Sequence, residues 1–394
     1  MSLSTTALAM MNANARPRHL LVTGLPHAVA ELVLQRILGA EPATTATLVV
    51  RGDGIDAVET MLRAWGPLGA RCRLILGDVT AHALGLSDDE RLEEVARTTD
   101  IFHFASVYHL GFDKLHLEDV NLHGTRQLLL FARSCAKLRC IHHYSTAFVA
   151  GSRSGVVLEE ELERGQTFRN TFERTKFTAE LDVRRAMHDL PITVYRPGLV
   201  LGHARTGELG RVDGPYFLVQ LLSNDPERLA PPASSAARFP FHAVPIDFVA
   251  DAIAALSGDD AAIGRTLHLT DPNAIAIDDA FRLISECAEQ RVVRRTRGDR
   301  VAGIMRRLPY GEDLVNASRI HLDELDTEAF FVTRRSGELL RKHGILCPYF
   351  PDYVDRLVAY AQRRHDGWET ADAPRANQSS RAFKALTGRF GRDY

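Results

Sequence analysis

Over its first 200 residues the chain alternates short apolar runs with helix-length amphipathic segments, and that alternation leaves few folds open. The runs HLLVTG (19–24), ATLVVRG (46–52), CRLILGDV (72–79), DIFHFAS (100–106), CIHHYSTAFVAG (140–151) and PITVYRPGLVLG (191–202) are rich in β-branched or aromatic residues. Each meets Gly, Asp or Ser where a turn is expected, as strands do. Between them, residues 28–39, 87–98, 120–136 and 169–188 carry helical patterning. Strand and helix in strict alternation predict an α/β domain, a doubly wound parallel sheet covered on both faces. Such sheets bind ligands at the carboxyl ends of their strands. That places attention on Gly24, Arg51, Asp78, Ala105 and Thr146.

After Gly202 the rhythm breaks into a loop-rich stretch punctuated by Gly and Pro, before IDFVADAIAAL reads as a helix and GRTLHLTDP as a strand. The expected division is a Rossmann-type domain from 18–202 plus 244–289, and a smaller interwoven substrate lobe from 203–243 plus 290–369. Residues 1–17 and the polar, basic tail 370–394 are expected to be disordered. A short membrane- or partner-touching helix at 380–390 is the alternative for part of that tail.

Of the 394 residues, 45% are hydrophobic and 25% charged, which suits a globular chain with a sizeable core. A net charge of -2 gives no global field for nucleic acid or an anionic membrane. No run of about 18 apolar residues suggests a membrane span, and the N-terminus lacks the features of a signal peptide. The five cysteines, Cys72, Cys135, Cys140, Cys287 and Cys347, form no CxxC pair, so a cytoplasmic, reducing setting is expected. The 16 histidines show no HxxxH or HExxH spacing, and no metal is expected.

Nine motifs in order, VTGLPHAVAELVL, LILGDVT, DIFHFAS, VNLHGTRQLLLFA, YSTAFVAG, TKFTAE, VYRPGLVLGHARTGEL, FHAVPIDFVADAIAAL and LHLTDP, resemble the extended short-chain dehydrogenase/reductase family. The resemblance covers roughly residues 18–365 and is nearest the thioester-reductase and fatty-acyl-reductase-like branch. It implies NADP, or NAD, as cofactor and a small-molecule substrate. A homodimer through 120–136 and 169–188 is also in keeping with it. The family turn T-G-x-x-G-x-x-G/A, which brings a dinucleotide pyrophosphate to a helix N-terminus, stands here as Thr23-Gly24-Leu25-Pro26-His27-Ala28-Val29-Ala30. His27 replaces the middle glycine. Its side chain either hydrogen-bonds phosphate or marks a decayed site, since it would project toward the pyrophosphate or demand a backbone angle unsuited to His.

The resemblance implies further roles along the chain. Arg51 would meet an adenosine 2′-phosphate, unless it is a solvated surface charge. Asp78 and Val79 match the adenine-edge contact, and Ala105 with Ser106 the backbone beneath the cofactor. Asn121 matches a bracing asparagine or caps a helix over 122–136. Arg196 and Pro197 match the corner lining the nicotinamide pocket, or simply end a strand. Tyr108 and Tyr216 are the candidate substrate contacts.

In the family, a Ser/Thr hydroxyl holds the substrate oxygen and a Tyr moves its proton. A Lys four residues on binds the nicotinamide ribose and lowers the Tyr pKa. Thr146, with Ser145 beside it, matches the hydroxyl, and Lys176 the lysine. Lys176 and Glu180 also form a plain i,i+4 pair. Phe172 stands at the Tyr position, and losing a general acid costs on the order of 10²–10⁴-fold in rate. Tyr144, Tyr108 and His109 are the candidate replacements near strand ends. Two readings follow: a reductase of a carbonyl or acyl thioester on a lipid-like or polyketide-like molecule, or a pseudoenzyme kept as a sensing or partner-binding module.

Overall fold

The structure, a computed structural model, describes residues 17–107, 114–208, 239–289, 325 and 327–370. The terminal segments, Tyr108, His109 and Tyr216 lie outside those residues. Among the described residues the strands are β1 (His19–Thr23), β2 (Thr45–Val50), β3 (Cys72–Leu76), β4 (Asp100–His103), β5 (Cys140–Tyr144), β6 (Gly155–Val157), β7 (Ile192–Pro197), β8 (Leu199–Leu201), β9 (Ala243–Pro245), β10 (Thr266–Leu269) and β11 (Ala329–Phe331). The α-helices are α1 (Ala28–Ala40), α2 (Ile55–Trp65), α3 (Asp88–Arg97), α4 (Lys114–Glu118), α5 (Gly124–Ser134), α6 (Thr171–Ala186), α7 (Ile246–Ser257), α8 (Ile277–Glu289), α9 (Arg334–Lys342) and α10 (Val354–Thr370).

Seven strands build one parallel sheet in the order β10-β7-β5-β4-β1-β2-β3. Chain order runs outward from β1 in both directions, so it reverses between β1 and β4. By that reversal the carboxyl ends of those two strands frame the crevice in which doubly wound folds take their ligands. The strands read as continuous apolar runs because both faces are covered. In β1, Leu20 and Val22 enter the core under α1 and α7, whereas Leu21 enters the core under α5 and α6. All three are fully buried, each contributing about 1.5–3 kcal/mol.

At the opposite, amino end of β4, buried Asp100 accepts hydrogen bonds from Arg18 Nε and Nη2 at 3.1 and 3.0 Å. Arg139 Nη2 adds a third at 2.6 Å. This locks the sheet's lower edge and leaves the upper edge to the site.

Several boundaries differ from the sequence expectation. β5 stops at Tyr144, not at residue 151, because Thr146 leaves the ladder and caps a 3₁₀ turn, Ala147–Ala150, through Phe148 N at 3.3 Å. The helix expected at 120–136 begins at Lys114 and passes through a π turn, Asp119–His123, before α5. Asn121 is therefore inside a helical run and does not cap it. Residues 327–363, expected in the second lobe, pack Leu339, Leu340, Phe350 and Leu357 into the same core as Leu20 and Ile253.

Candidate active site

Gly24 leaves β1 with φ 94°, and a Cβ there would lie 2.2 Å from Ala105 N and 2.4 Å from Phe104 C. Only glycine lets the first turn rest on the backbone that extends β4. This close approach brings Gly24 and Ala105 together at the crevice.

The structure revises the expectation for His27. It is the N-cap of α1 with φ -147° and ψ 124°, an extended conformation open to any residue, so histidine meets no backbone penalty. Its Nδ1 accepts from Ala30 N at 3.4 Å, and the ring packs on Phe104 and Tyr144 with centroids 6.0 and 5.5 Å away. Burial, with the Lys176 charge added, lowers its pKa to about 4. The imidazole is neutral, and accepting at Nδ1 leaves the proton on Nε2.

At the carboxyl end of β2, the Arg51 guanidinium pairs with Asp53, Nε to Oδ1 at 3.2 Å with a second contact from Nη2 to Oδ2. Arg51 is 47% exposed. It is thus neither an isolated surface charge nor an unopposed one, and the sequence reading did not foresee Asp53. Asp78 closes a tight turn after β3, its Oδ1 accepting from Thr80 N and Oγ1 at 2.8 Å each. Val79 packs against the start of α5, where a Cβ on Gly124 would come within 2.9 Å of Val79 Cγ2.

α6 carries the remaining candidates. Asn170 caps it through Glu173 N at 2.9 Å, and Phe172, Lys176 and Glu180 then recur every four residues on its buried face. Lys176 is 3% exposed and donates to the Tyr144 carbonyl oxygen at 2.8 Å. That bond fixes the ammonium at the carboxyl end of β5, two residues before Thr146. Burial lowers its pKa to about 8, against a partial upward pull from Glu180. Phe172, 5% exposed, presents an apolar ring one turn earlier.

Glu180 does not serve as a simple ion-pair partner of Lys176. Its carboxylate takes Arg196 Nη2 at 2.6 Å and Nε at 3.0 Å, and Ser145 Oγ donates to it at 2.6 Å. Arg196 and Glu180 are both essentially inaccessible, so the pair is a buried strut between β7 and α6. Arg196 also donates to Glu161 O at 2.9 Å. Its guanidinium and the Ser145 hydroxyl are thereby committed beneath the crevice, and Pro197 ends β7 beside them.

Asn121 braces the site. Its Oδ1 accepts from Val107 N at 2.7 Å, and its Nδ2 donates to Thr175 Oγ1 at 3.0 Å, tying the β4 extension to α6. Two residues beneath the site were missed by the sequence reading, His103 and His143. They are register partners on β4 and β5, stacked 5.6 Å apart. Equal offsets within DIFHFAS and CIHHYSTA were the available signal. His103 bridges Thr23 and Thr125 at 2.8 and 3.0 Å. Burial, aided by Lys176, lowers the pKa of both imidazoles.

A glycine turn resting on the β4 extension, an asparagine bracing that extension and a lysine delivered to the end of β5 thus meet at the carboxyl ends of neighbouring strands. A family model described as "Male sterility protein" matches residues 22–253. The chain belongs to that family. Among its relatives, a fatty acyl-CoA reductase, wat, of Drosophila melanogaster is 26% identical over 254 residues, 55% of this chain and 46% of that protein. The aldehyde reductase lnaA of Aspergillus flavus is 30% identical over 238 residues, 55% of this chain and 21% of that one. The chain therefore spans under half the length of these relatives. The terminal R domain from the myxalamid PKS-NRPS biosynthetic pathway superposes with a TM-score of 0.74 at 22% identity, covering 92% of this chain and 93% of that one. The chain thus shares its fold with that domain over most of its length. Among the described residues no helix is long and apolar enough to cross a membrane, and none of the five cysteines is in a disulfide.

Proposed function

We propose that this member of the male sterility family is an NAD(P)H-dependent reductase of an acyl thioester or carbonyl on a lipid-like or polyketide-like molecule. The observation that carries this reading is Lys176, a buried ammonium held at the end of β5 beside Thr146 and next to the Gly24–Ala105 crevice. Packing alone favours no charge there, since burial disfavours it. The reductase names of the two relatives support the same reading, and neither is named as a non-catalytic module.

The residues present suit a nicotinamide dinucleotide. The Gly24 turn leaves backbone at the N-terminus of α1 for a pyrophosphate, and the His27 Nε2–H is a donor suited to a phosphate oxygen. Arg51 would exchange Asp53 for a 2′-phosphate, which favours NADPH. Asp78 and Val79 would border the adenine, Ala105 would pass beneath the cofactor, and Lys176 would bind the ribose. When bound, the cofactor supplies a hydride to the carbonyl carbon. The Thr146 hydroxyl accepts from Phe148 N and so keeps its own proton for the substrate oxygen. A homodimer through α5 and α6 is part of this proposal, supported by Leu130, 57% exposed on α5. So is a cytoplasmic setting, which suits five cysteines outside any disulfide.

Titration with NADPH and NADH, followed by nicotinamide fluorescence, tests the reading. Micromolar NADPH binding, weakened about tenfold in Arg51→Ala with NADH little changed, is the expected result. Acyl-CoA-dependent oxidation of NADPH should accompany it. Failure to bind either nucleotide overturns the proposal.

A further inference from the structure

The reaction needs a proton on the substrate oxygen, and Phe172 has none to give. Resting on the reductase reading above, we infer that Lys176 itself delivers that proton, serving as the general acid in the place of the absent phenol.

The geometry narrows the donors step by step. Ser145 donates to Glu180 and is closed off under the crevice. Tyr144 is packed between the His27 and Phe104 rings, and burial pushes its phenol above the ordinary range, making it a poorer acid. His27 on the α1 cap, His103 on β4 and His143 on β5 face the lysine from three elements, and burial keeps all three neutral near pH 7. Glu180, on the lysine's own helix, is ionised and held by Arg196 and Ser145. Among the described residues around the crevice, Lys176 is left as the group that holds a proton of moderate acidity.

Its bonding leaves the means to use it. An ammonium has three N–H donors. One goes to the Tyr144 carbonyl, and among the described residues no partner takes the other two. One can hold a ribose hydroxyl while the other meets the substrate oxygen.

Residue choice points the same way. The chain has five lysines among 48 basic residues. Lys114, Lys137 and Lys342 are exposed, while the deeply buried cations Arg18 and Arg196 are arginines. Arginine does not release its proton in proteins, whereas a buried lysine does so readily. The lysine is found where proton release has a use.

The steps balance. Hydride adds to the thioester carbonyl carbon, the C=O π pair moves to oxygen, and oxygen takes a proton from Nζ, giving a hemithioacetal and a neutral amine. In the second step the amine recovers the hydroxyl proton as the C–S bond breaks. An aldehyde and a thiolate leave, and Lys176 is again an ammonium without a further acid or base.

The test begins with the wild-type chain labelled with [15N]lysine. With so few lysines, the resonance lost in Lys176→Arg identifies Lys176. Its titration midpoint should be about 8, and a midpoint near the ordinary 10.5 overturns the inference. In parallel, kcat for NADPH-dependent acyl-CoA reduction should fall about tenfold per pH unit above that midpoint. Lys176→Arg, which keeps charge and donors but not a transferable proton, should bind NADPH within tenfold of wild type. Its kcat should fall on the order of 10²-fold or more. A kcat level from pH 7 to 10, or an arginine variant with more than a tenth of wild-type turnover, refutes the lysine's role alone. No turnover at any pH with NADPH bound refutes the reductase reading and the lysine's role with it.

Discussion

Replacing Lys176 by Met should stabilise the protein at neutral pH, and the gain should disappear as the solution becomes alkaline. The folded state holds this lysine at about 8 against an ordinary 10.5, because burial disfavours its charged form. The gap of 2.5 units corresponds to about 3 kcal/mol of folding free energy. The sign follows from proton counting. Below about pH 8 the lysine is protonated both folded and unfolded, so the cost of burying the charge is present in full. Between 8 and 10.5 the unfolded chain binds more protons, and wild-type stability rises with pH relative to a variant lacking the group. Methionine removes that cost but leaves the Tyr144 carbonyl without its donor, which costs about 1 kcal/mol. The variant should therefore be more stable by about 2 kcal/mol at pH 7, and the difference should narrow by about 2–3 kcal/mol by pH 10. At the usual unfolding entropy per residue, a chain of this length shifts about 1 °C in Tm per kcal/mol. Urea titrations of both proteins at pH 7, 8, 9 and 10 resolve the effect better than melting. A stability difference independent of pH would show that Lys176 titrates like a solvated lysine, and the electrostatic reasoning would fail.

Other perturbations probe the supports around it. Glu180→Gln should leave Arg196 buried without its counter-charge and destabilise by about 3–5 kcal/mol in urea unfolding; adding Arg196→Met should recover much of the loss, and simple additivity would refute the strut. Since partners depress the Glu180 pKa, its contribution is present above the ordinary carboxylate range and is lost as pH falls through the lower folded value. Gly24→Ala should abolish NADPH binding by fluorescence titration, because its Cβ would meet Ala105 N at 2.2 Å with φ at 94°. Normal affinity would mean that the first turn does not carry the cofactor. Phe172→Tyr should raise kcat more at pH 9 than at pH 7, since the new phenol matters most where Lys176 has lost its proton. An equal gain at both values would assign the acid elsewhere.

Much of the fold was legible because it is written in local periodicity. Alternating apolar runs gave the seven sheet strands, although the sequence overran their ends. An apolar run, Ala147–Ala150, follows soon after β5, but Thr146 turns the backbone out of the ladder by capping Phe148 N. No apolar pattern records that event. The helix around Asn121 was misjudged for a related reason, since a π turn keeps the run helical while rotating Asn121 toward Val107 and Thr175. The motif positions Gly24, Thr146 and Lys176 could be named from the family resemblance, but the partners of Arg196, Glu180 and Ser145 could not. Their partners are set by strands and helices meeting from separate parts of the chain.

By itself, the sequence determined the α/β class, the glycine of the first turn and a phenylalanine four residues before Lys176, because these depend on residue type and short-range order. Tertiary structure decided what surrounds them. It seated His27 as a neutral cap and stacked two histidines beneath the crevice. It gave Glu180 to Arg196 and buried Lys176 against the Tyr144 carbonyl. A lysine's acidity depends on the water and charges around it, and those are fixed only when distant segments pack together.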